Sequence, residues 1–303
     1  MFDQADKLRQ VIDNLKSKQA EGQETMANKT ARKSARVFTI TSGKGGVGKT
    51  NVTVNLAVAL GELGYRVIIL DADFGLANID VLLGIVPKYN LLDVIQNRKN
   101  ITEILSDGPK NVRFLSGGSG MEELIRLERP QLQRFLNNLE LLDKIADIIL
   151  IDTGAGLSDN VISMVMAADE VLVVTTPDPT SMTDAYALIK IISNRDRMKK
   201  IKIIVNRAEN AEEANSILNK LVLVSNKFLN VKVEYGGYIL YDEAVVRSVK
   251  QQRPFTLEFP RSQAAKSIRQ ITDNVFKYNE SAAPAENYGV SSFINRFINL
   301  MRH

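Results

Sequence analysis

Val37-Phe38-Thr39-Ile40-Thr41-Ser42-Gly43-Lys44-Gly45-Gly46-Val47-Gly48-Lys49-Thr50-Asn51 is the stretch on which the reading of this chain turns. The short β-branched run Val37–Thr41 reads as a strand buried on both faces, and a helical pattern opens at Lys49 and runs to Glu62. Strand, glycine-rich loop and helix are the context in which Gly-x-x-x-x-Gly-Lys-Thr marks a phosphate-binding loop. The glycines Gly43, Gly45, Gly46 and Gly48 let backbone N–H groups, with those of Lys44 and Val47, turn toward phosphate oxygens. The helix N-terminus at Lys49, Thr50 and Asn51 adds its partial positive charge. Lys49 is expected to bridge the terminal phosphates and the Thr50 hydroxyl to take Mg²⁺, so ATP and Mg²⁺ are the expected ligands.

Outward from the loop, short apolar runs alternate with helical patterns. Val37–Thr41, Arg66–Leu70, Val112–Leu115, Ile148–Ile151, Val171–Val174, Ile201–Val205 and Tyr235–Leu240 are expected strands. Lys49–Glu62, Pro130–Lys144, Asp184–Asn194, Ala211–Phe228 and Ser262–Lys277 are expected helices. That order predicts an α/β fold with a mostly parallel central sheet flanked by helices. Ile148-Ile149-Leu150-Ile151-Asp152 is a buried strand ending in an acid, and Asp152 is expected to hold Mg²⁺ through water.

Composition removes several chemistries. The 303 residues contain no cysteine, which excludes disulfides and thiolate metal sites, and the one histidine is His303, so histidine base catalysis is not expected. No run of eighteen apolar residues is present, and the polar start Met1-Phe2-Asp3-Gln4 opens no secretory signal. Residues 1–36 hold eight Lys/Arg against five Asp/Glu, whereas the other 267 residues hold 31 against 30. The nearly neutral body gives no net-charge support for DNA as a partner, although Arg195, Arg197, Lys199, Lys200 and Lys202 form a local basic run. The chain divides into residues 1–36, a short helix over 3–19 with a polar tether; residues 37–278, the nucleotide-binding body; and residues 279–303, a second linker and a terminal helix.

The loop Gly-Lys-Gly-Gly-Val-Gly-Lys-Thr resembles the deviant Walker A motif of the MinD/ParA ATPases. The resemblance covers residues 37–278 and implies an ATP-closed homodimer in which Lys44 reaches the nucleotide of the facing subunit. Asp71-Ala72-Asp73-Phe74-Gly75 is similar to the family's first switch, with Asp73 in the place of the residue that orients the attacking water. Asn206 and Arg207 match the pair whose amide reads adenine, and Asp242 matches the acid of the family's base-side segment. As the cap of a helix over Glu243–Lys250, Asp242 has a second expected duty.

Within that family the chain resembles the flagellar-number regulators of the FlhG (FleN, YlxH) group, on Asp3-Gln4-Ala5-Asp6-Lys7-Leu8-Arg9, on Thr175–Tyr186 and on Asp152-Thr153-Gly154-Ala155-Gly156. This implies a bacterial cytoplasmic protein, peripheral on the inner face of the membrane, that controls flagellar number and placement. Implied partners are flagellar switch-complex proteins and the signal-recognition-type GTPase FlhF. Gln4 would enter that GTPase's site, with Leu8 anchoring the helix and Arg9 supporting it. MinD-like septum positioning and ParA-like DNA-cargo positioning are the alternatives on the same fold, whereas an iron–sulfur protein of this fold needs cysteines the chain lacks.

Near the C-terminus, Phe293, Ile294, Phe297, Ile298 and Met301 share one helical face, with Arg296 and Arg302 beside it. A membrane-surface helix on anionic lipid is expected over residues 291–302, far too short to span. Packing of this face on the body is the alternative.

Overall fold

The computed structural model describes residues 34–73, 78–117, 120–229, 231–276 and 289–301. Gln4, Leu8 and Arg9 lie outside the described residues. From the glycine loop outward, β1 (Arg36–Thr41) leads to α1 (Lys49–Glu62) and β2 (Val67–Ala72). Two short helices, α2 (Ile79–Leu83) and α3 (Leu91–Ile95), precede β3 (Ser106–Asp107) and β4 (Val112–Ser116). Next come α4 (Gly120–Arg126), α5 (Arg129–Ile145), β5 (Ile148–Thr153), α6 (Asp159–Ala167) and β6 (Glu170–Thr175). α7 (Pro179–Arg195), β7 (Lys200–Ala208), α8 (Ala211–Leu229) and β8 (Val233–Leu240) follow. α9 (Glu243–Lys250), α10 (Phe255–Glu258), α11 (Gln263–Phe276) and α12 (Val290–Met301) complete the described chain.

Eight described strands form one sheet in the order β3-β4-β2-β5-β1-β6-β7-β8, parallel throughout except for the antiparallel β3. The loop-bearing strand β1 lies inside it, between β5 and β6. From β1 the chain works outward one way through β2 and β4, returns to β5, then crosses to β6 and works outward the other way. Crevices at the C-terminal ends of such central strands are where open α/β sheets bind ligands.

Every described strand residue in β1, β2, β5 and β6 is buried, apart from Arg36. The two-residue period divides their side chains between two cores. Phe38, Ile40, Ile69, Ile148 and Leu150 pack with α1 and α11 on one face. Val37, Ile68, Leu70, Ile149 and Ile151 pack with α5 and α12 on the other. α7 begins at Pro179, five residues before the expected start at Asp184. A proline in the first turn loses no intrahelical hydrogen bond and has φ preset for the helix.

At the body's N-terminal end, Ala35 is fully buried and Arg36 already belongs to β1, held by Glu170 Oε1 at 2.7 Å. The compact body therefore takes in residues before Val37, from Ser34 on. The same compact unit includes α12. Phe293, Ile294, Phe297 and Ile298, expected to face lipid, are each at most 2% exposed, sealed against α5 and α6, with Met301 partly buried at the edge. A stripe this apolar gains roughly 1.5–3 kcal/mol per large side chain from any dry partner, and the body offers one. Two partly buried carboxylates fix the seat. Asp143 accepts from Val290 N at 3.0 Å and Asp169 from Arg296 Nη2 at 2.8 Å. The same two acids receive Ala35 N at 3.3 Å and Val37 N at 2.9 Å, so the start of β1 and the C-terminal helix share anchors. Burial holds both carboxyls above the usual aspartate range.

Deleting the Phe297 ring removes a contact worth about 3–5 kcal/mol. In Phe297→Ala without nucleotide, the amides of residues 293–301 are expected to lose their protection in hydrogen exchange while those of β1 and β5 keep theirs. Protection of 293–301 equal to the parent's contradicts the docked seat.

Candidate functional site

Lys49 opens α1 from Gly48, whose φ of 89° lies in the left-handed region and whose position leaves no room for a Cβ, because Asn206 Nδ2 occupies it. The first turn of α1 carries no acid, which keeps the helix end open to an anion. Ser42, Gly45–Asn51, Asp73, Ala155 and Arg207 surround a cavity of about 410 Å³ in front of that turn. The residues fit a Mg²⁺-bound nucleotide. A cradle free of side chains lies over a helix N-terminus, a lysine and a hydroxyl stand at its first residues, and a carboxylate lies beneath.

That carboxylate is Asp152. Strand parity turns it toward α1, where its Oδ1 accepts from Lys49 Nζ at 3.0 Å and from Thr53 Oγ1 at 2.9 Å. Both ends of the ion pair are under a tenth exposed. Lys49 is thus engaged by the acid at the end of β5, beside the cavity. Asp71 stands opposite Asp152 in the β2–β5 register and shares its face. Burial first, and Asp152 second, push its carboxyl up to about 6 against three backbone N–H donors, Ile79, Asn78 and Asp73. Through them, at 3.0–3.2 Å, Asp71 organises both flanks of the segment that presents Asp73. Asp73 lines the cavity with its carboxylate against Gly154, where a Cβ would meet Asp73 Oδ1 at 3.6 Å. The 154–156 loop is tied back to the phosphate loop by Gly156 N to Ser42 O at 2.9 Å. Ser158 caps α6 through Val161 N.

A second cavity of about 500 Å³ adjoins the first and shares Gly48, Asn51, Arg207 and Val249 with it. Asn206, Arg207 and Asp242, the group expected at the base, line it together with Tyr241. Arg207 is the extra residue of a β-bulge against β8, with φ 59°. A non-glycine in that region costs about 1–3 kcal/mol and is tolerated where the surroundings hold it. Asn206 is nine-tenths buried, and its Nδ2 donates to Val47 O at 2.7 Å. Asp242 caps α9 through Ala244 N at 2.9 Å and also receives Ala264 N, at the start of α11, at 3.2 Å.

Lys44 stands apart. It is exposed on the loop, with its Nζ on Thr180 Oγ1 at the start of α7 at 2.7 Å. The α12 residues belong to the opposite end of the sheet, a strand length or roughly 20 Å from the loop. Sequence reasoning passed over Thr53, the duty of Asn206 toward Val47, and the task of Asp71. Asp71 was the most accessible of these, since an acid at the end of an otherwise apolar strand next to the Asp152 strand is costly without a task.

Asn206→Ala leaves the Val47 carbonyl without its donor and loosens the loop that every nucleotide uses. Its affinities for ATP and GTP are expected to fall together, by about tenfold or more at 1–3 kcal/mol. Titration with fluorescent analogues of both checks this. A loss confined to ATP shows instead that the side chain serves the base alone.

The ParA family model, described as NUBPL iron-transfer P-loop NTPase, matches residues 33–276. The antiactivator FleN of Pseudomonas aeruginosa is 42% identical over 249 residues, covering 82% of this chain and 89% of that protein. The flagellum site-determining protein YlxH of Helicobacter pylori is 34% identical, covering 87% and 90%. The Mg-ADP complex of the septum site-determining protein MinD from Pyrococcus horikoshii superposes with a TM-score of 0.65 at 25% identity, over 83% of this chain and all of that one. Iron transfer through thiolates is closed to a chain without cysteine. The match over the whole sheet and both flagellar relatives agree: the chain belongs to the ParA/MinD family of P-loop NTPases and stands within it beside the FleN and YlxH group.

Proposed function

We propose that this protein is an ATP-driven dimerising switch that sets the number and placement of flagella. The observation that carries the switch is the opposed pair of loop lysines: Lys49 buried on Asp152, Lys44 exposed on the rim. A lysine held outward at the mouth of a phosphate site is placed for a second molecule's phosphates, where its charge offsets the repulsion between two anionic nucleotides. In this reading, Lys49 would leave Asp152 to hold the phosphates of a bound nucleotide, and Asp152 would hold Mg²⁺ together with the Thr50 hydroxyl. The metal would supply neutralisation of phosphate charge. Asp73, set by Asp71 and seated against Gly154, orients the attacking water. Asn206 supports the loop and Arg207 and Asp242 border the base.

The site also has a route to the far end of the body. The 154–156 loop runs through Ser158 into α6, and α6 forms part of the seat of α12. Dimer closure that shifts this loop loosens α12, whose apolar face then takes anionic membrane; two helices per dimer gain avidity over one. Flagellar placement comes from the resemblance to FleN and YlxH. So does the role of Gln4, Leu8 and Arg9, outside the described residues, in stimulating an FlhF-type GTPase. The body's own client is a flagellar switch-complex component.

Light scattering with ATP and Mg²⁺ separates the parts. Lys49→Ala is expected neither to dimerise nor to turn over. Lys44→Ala is expected to bind ATP yet stay monomeric, and Asp73→Ala to dimerise and persist, with kcat lower by about 10²–10⁴. A Lys44→Ala protein that dimerises normally contradicts the switch. A peptide of residues 1–20 is expected to accelerate GTP hydrolysis by the purified FlhF-type GTPase and its Gln4→Ala form not to. Equal rates with both peptides remove that role and leave the ATPase reading standing.

A further inference from the structure

The turn between α7 and β7, Asp196-Arg197-Met198-Lys199, carries a feature the nucleotide cycle does not use. Met198 is 87% exposed, held out in water between Arg197 and Lys200. The turn is rigidly built. Asp196 N closes on Ile192 O at 2.8 Å and Met198 N on Asp196 Oδ1 at 2.8 Å. Beneath it, buried Lys199 Nζ donates to Met166 O and Ala168 O, capping α6. Beside the turn lies a depression of about 300 Å³ lined by Arg197, Lys200, Lys202 and Lys232. Its two acids are already engaged: Glu170 by Arg36 at 2.7 Å and Lys202 at 3.3 Å, Glu234 by Lys232 at 2.6 Å. The cations left for a ligand are the exposed Arg197 and Lys200.

Position identifies the partner. Lys200 pairs with Glu170 in the β6–β7 register, and Asp169, which holds Arg296 of α12, directly precedes Glu170. The apolar tip and the seat of α12 therefore share the end of the sheet opposite the phosphate loop. Duplex DNA matches the cations but has no use for an apolar tip standing free of them. A bilayer matches both, with phosphates for Arg197 and Lys200 and an interface into which a methionine can sink.

We infer that the α7–β7 turn is a second membrane contact, in which Met198 enters the interface of an anionic bilayer while Arg197 and Lys200 bind lipid phosphates. This rests on the reading of α12 as the membrane helix and gives it a fixed partner on the body. A single short helix binds reversibly, and a rigid basic tip beside it both strengthens binding and sets the body's orientation.

The test is sedimentation of the full chain, with ATP and Mg²⁺, on vesicles of phosphatidylcholine alone and of phosphatidylcholine with phosphatidylglycerol in equal parts. The parent is expected to prefer the anionic vesicles. Arg197→Ala with Lys200→Ala is expected to weaken that binding by roughly fivefold per cation removed. Met198→Glu is expected to weaken it at least as much as one cation. All these positions are on the surface, and unchanged ATP turnover confirms the fold. If the parent binds and Phe297→Glu does not, while the turn variants bind like the parent, the helix reading stands and the turn is no contact. If the parent binds neither vesicle, the helix reading fails and takes this surface with it. If the turn variants lose salt-sensitive binding to duplex DNA but keep that to vesicles, the surface is a nucleic-acid face and the inference is overturned.

Discussion

Lys49 Nζ and Asp152 Oδ1 meet 3.0 Å apart in a place nearly closed to water, and the order of the whole site follows from that pair. Breaking a buried ion pair by removing one charge costs about 3–5 kcal/mol, because the survivor stays buried and unpaired. A ligand that enters here has to bring an anion for Lys49, and Asp152 has to find another cation. A Mg²⁺-bound triphosphate brings both. The pair also joins the start of α1 to the end of β5, while Asp71, one strand further on, ties the Asp73 segment to the same face. Asp71, Asp73 and Asp152 are therefore gathered at the ends of two neighbouring strands beside the cavity.

The other end of the sheet has its own polar framework. Asp143 and Asp169 each hold α12 with one contact and the start of β1 with another. Both cost burial of a carboxylate, and both are repaid by donors from two chain segments at once. The C-terminal helix is thus attached where β1 begins. α6 spans the distance between the two ends, beginning just after the Gly154–Gly156 loop and ending against α12. Coupling of this kind needs one packed element with two arrangements, and α6 is the element both sites touch.

Much of this was legible in the sequence because the informative positions are local. Lys49–Glu62 announces itself through the glycines before it, and the buried parallel strands through their unbroken β-branched runs. The expected Asp242 cap also needed only the next few residues. What escaped depends on partners distant in sequence. Asn206 serves Val47, 159 residues away, and nothing near Asn206 says so. The bulge at Arg207 is defined by register against β8, and the task of Asp71 by its neighbour on β5. An apolar stripe such as Phe293–Ile298 reports only that it will be buried; lipid and the α5–α6 face satisfy it alike. The short helices α2, α3 and α10 have too few turns to show a period.

In the proposed switch, nucleotide state at one end of the sheet governs the seat of α12 at the other. Hydrogen exchange on the full chain, with Mg²⁺ and either ADP or a non-hydrolysable ATP analogue, tests it directly. The prediction is that the analogue lowers exchange in residues 43–51 and raises it in residues 293–301, with α6 changing alongside. Protection of 293–301 that is the same with both nucleotides, while the loop responds, contradicts the claim.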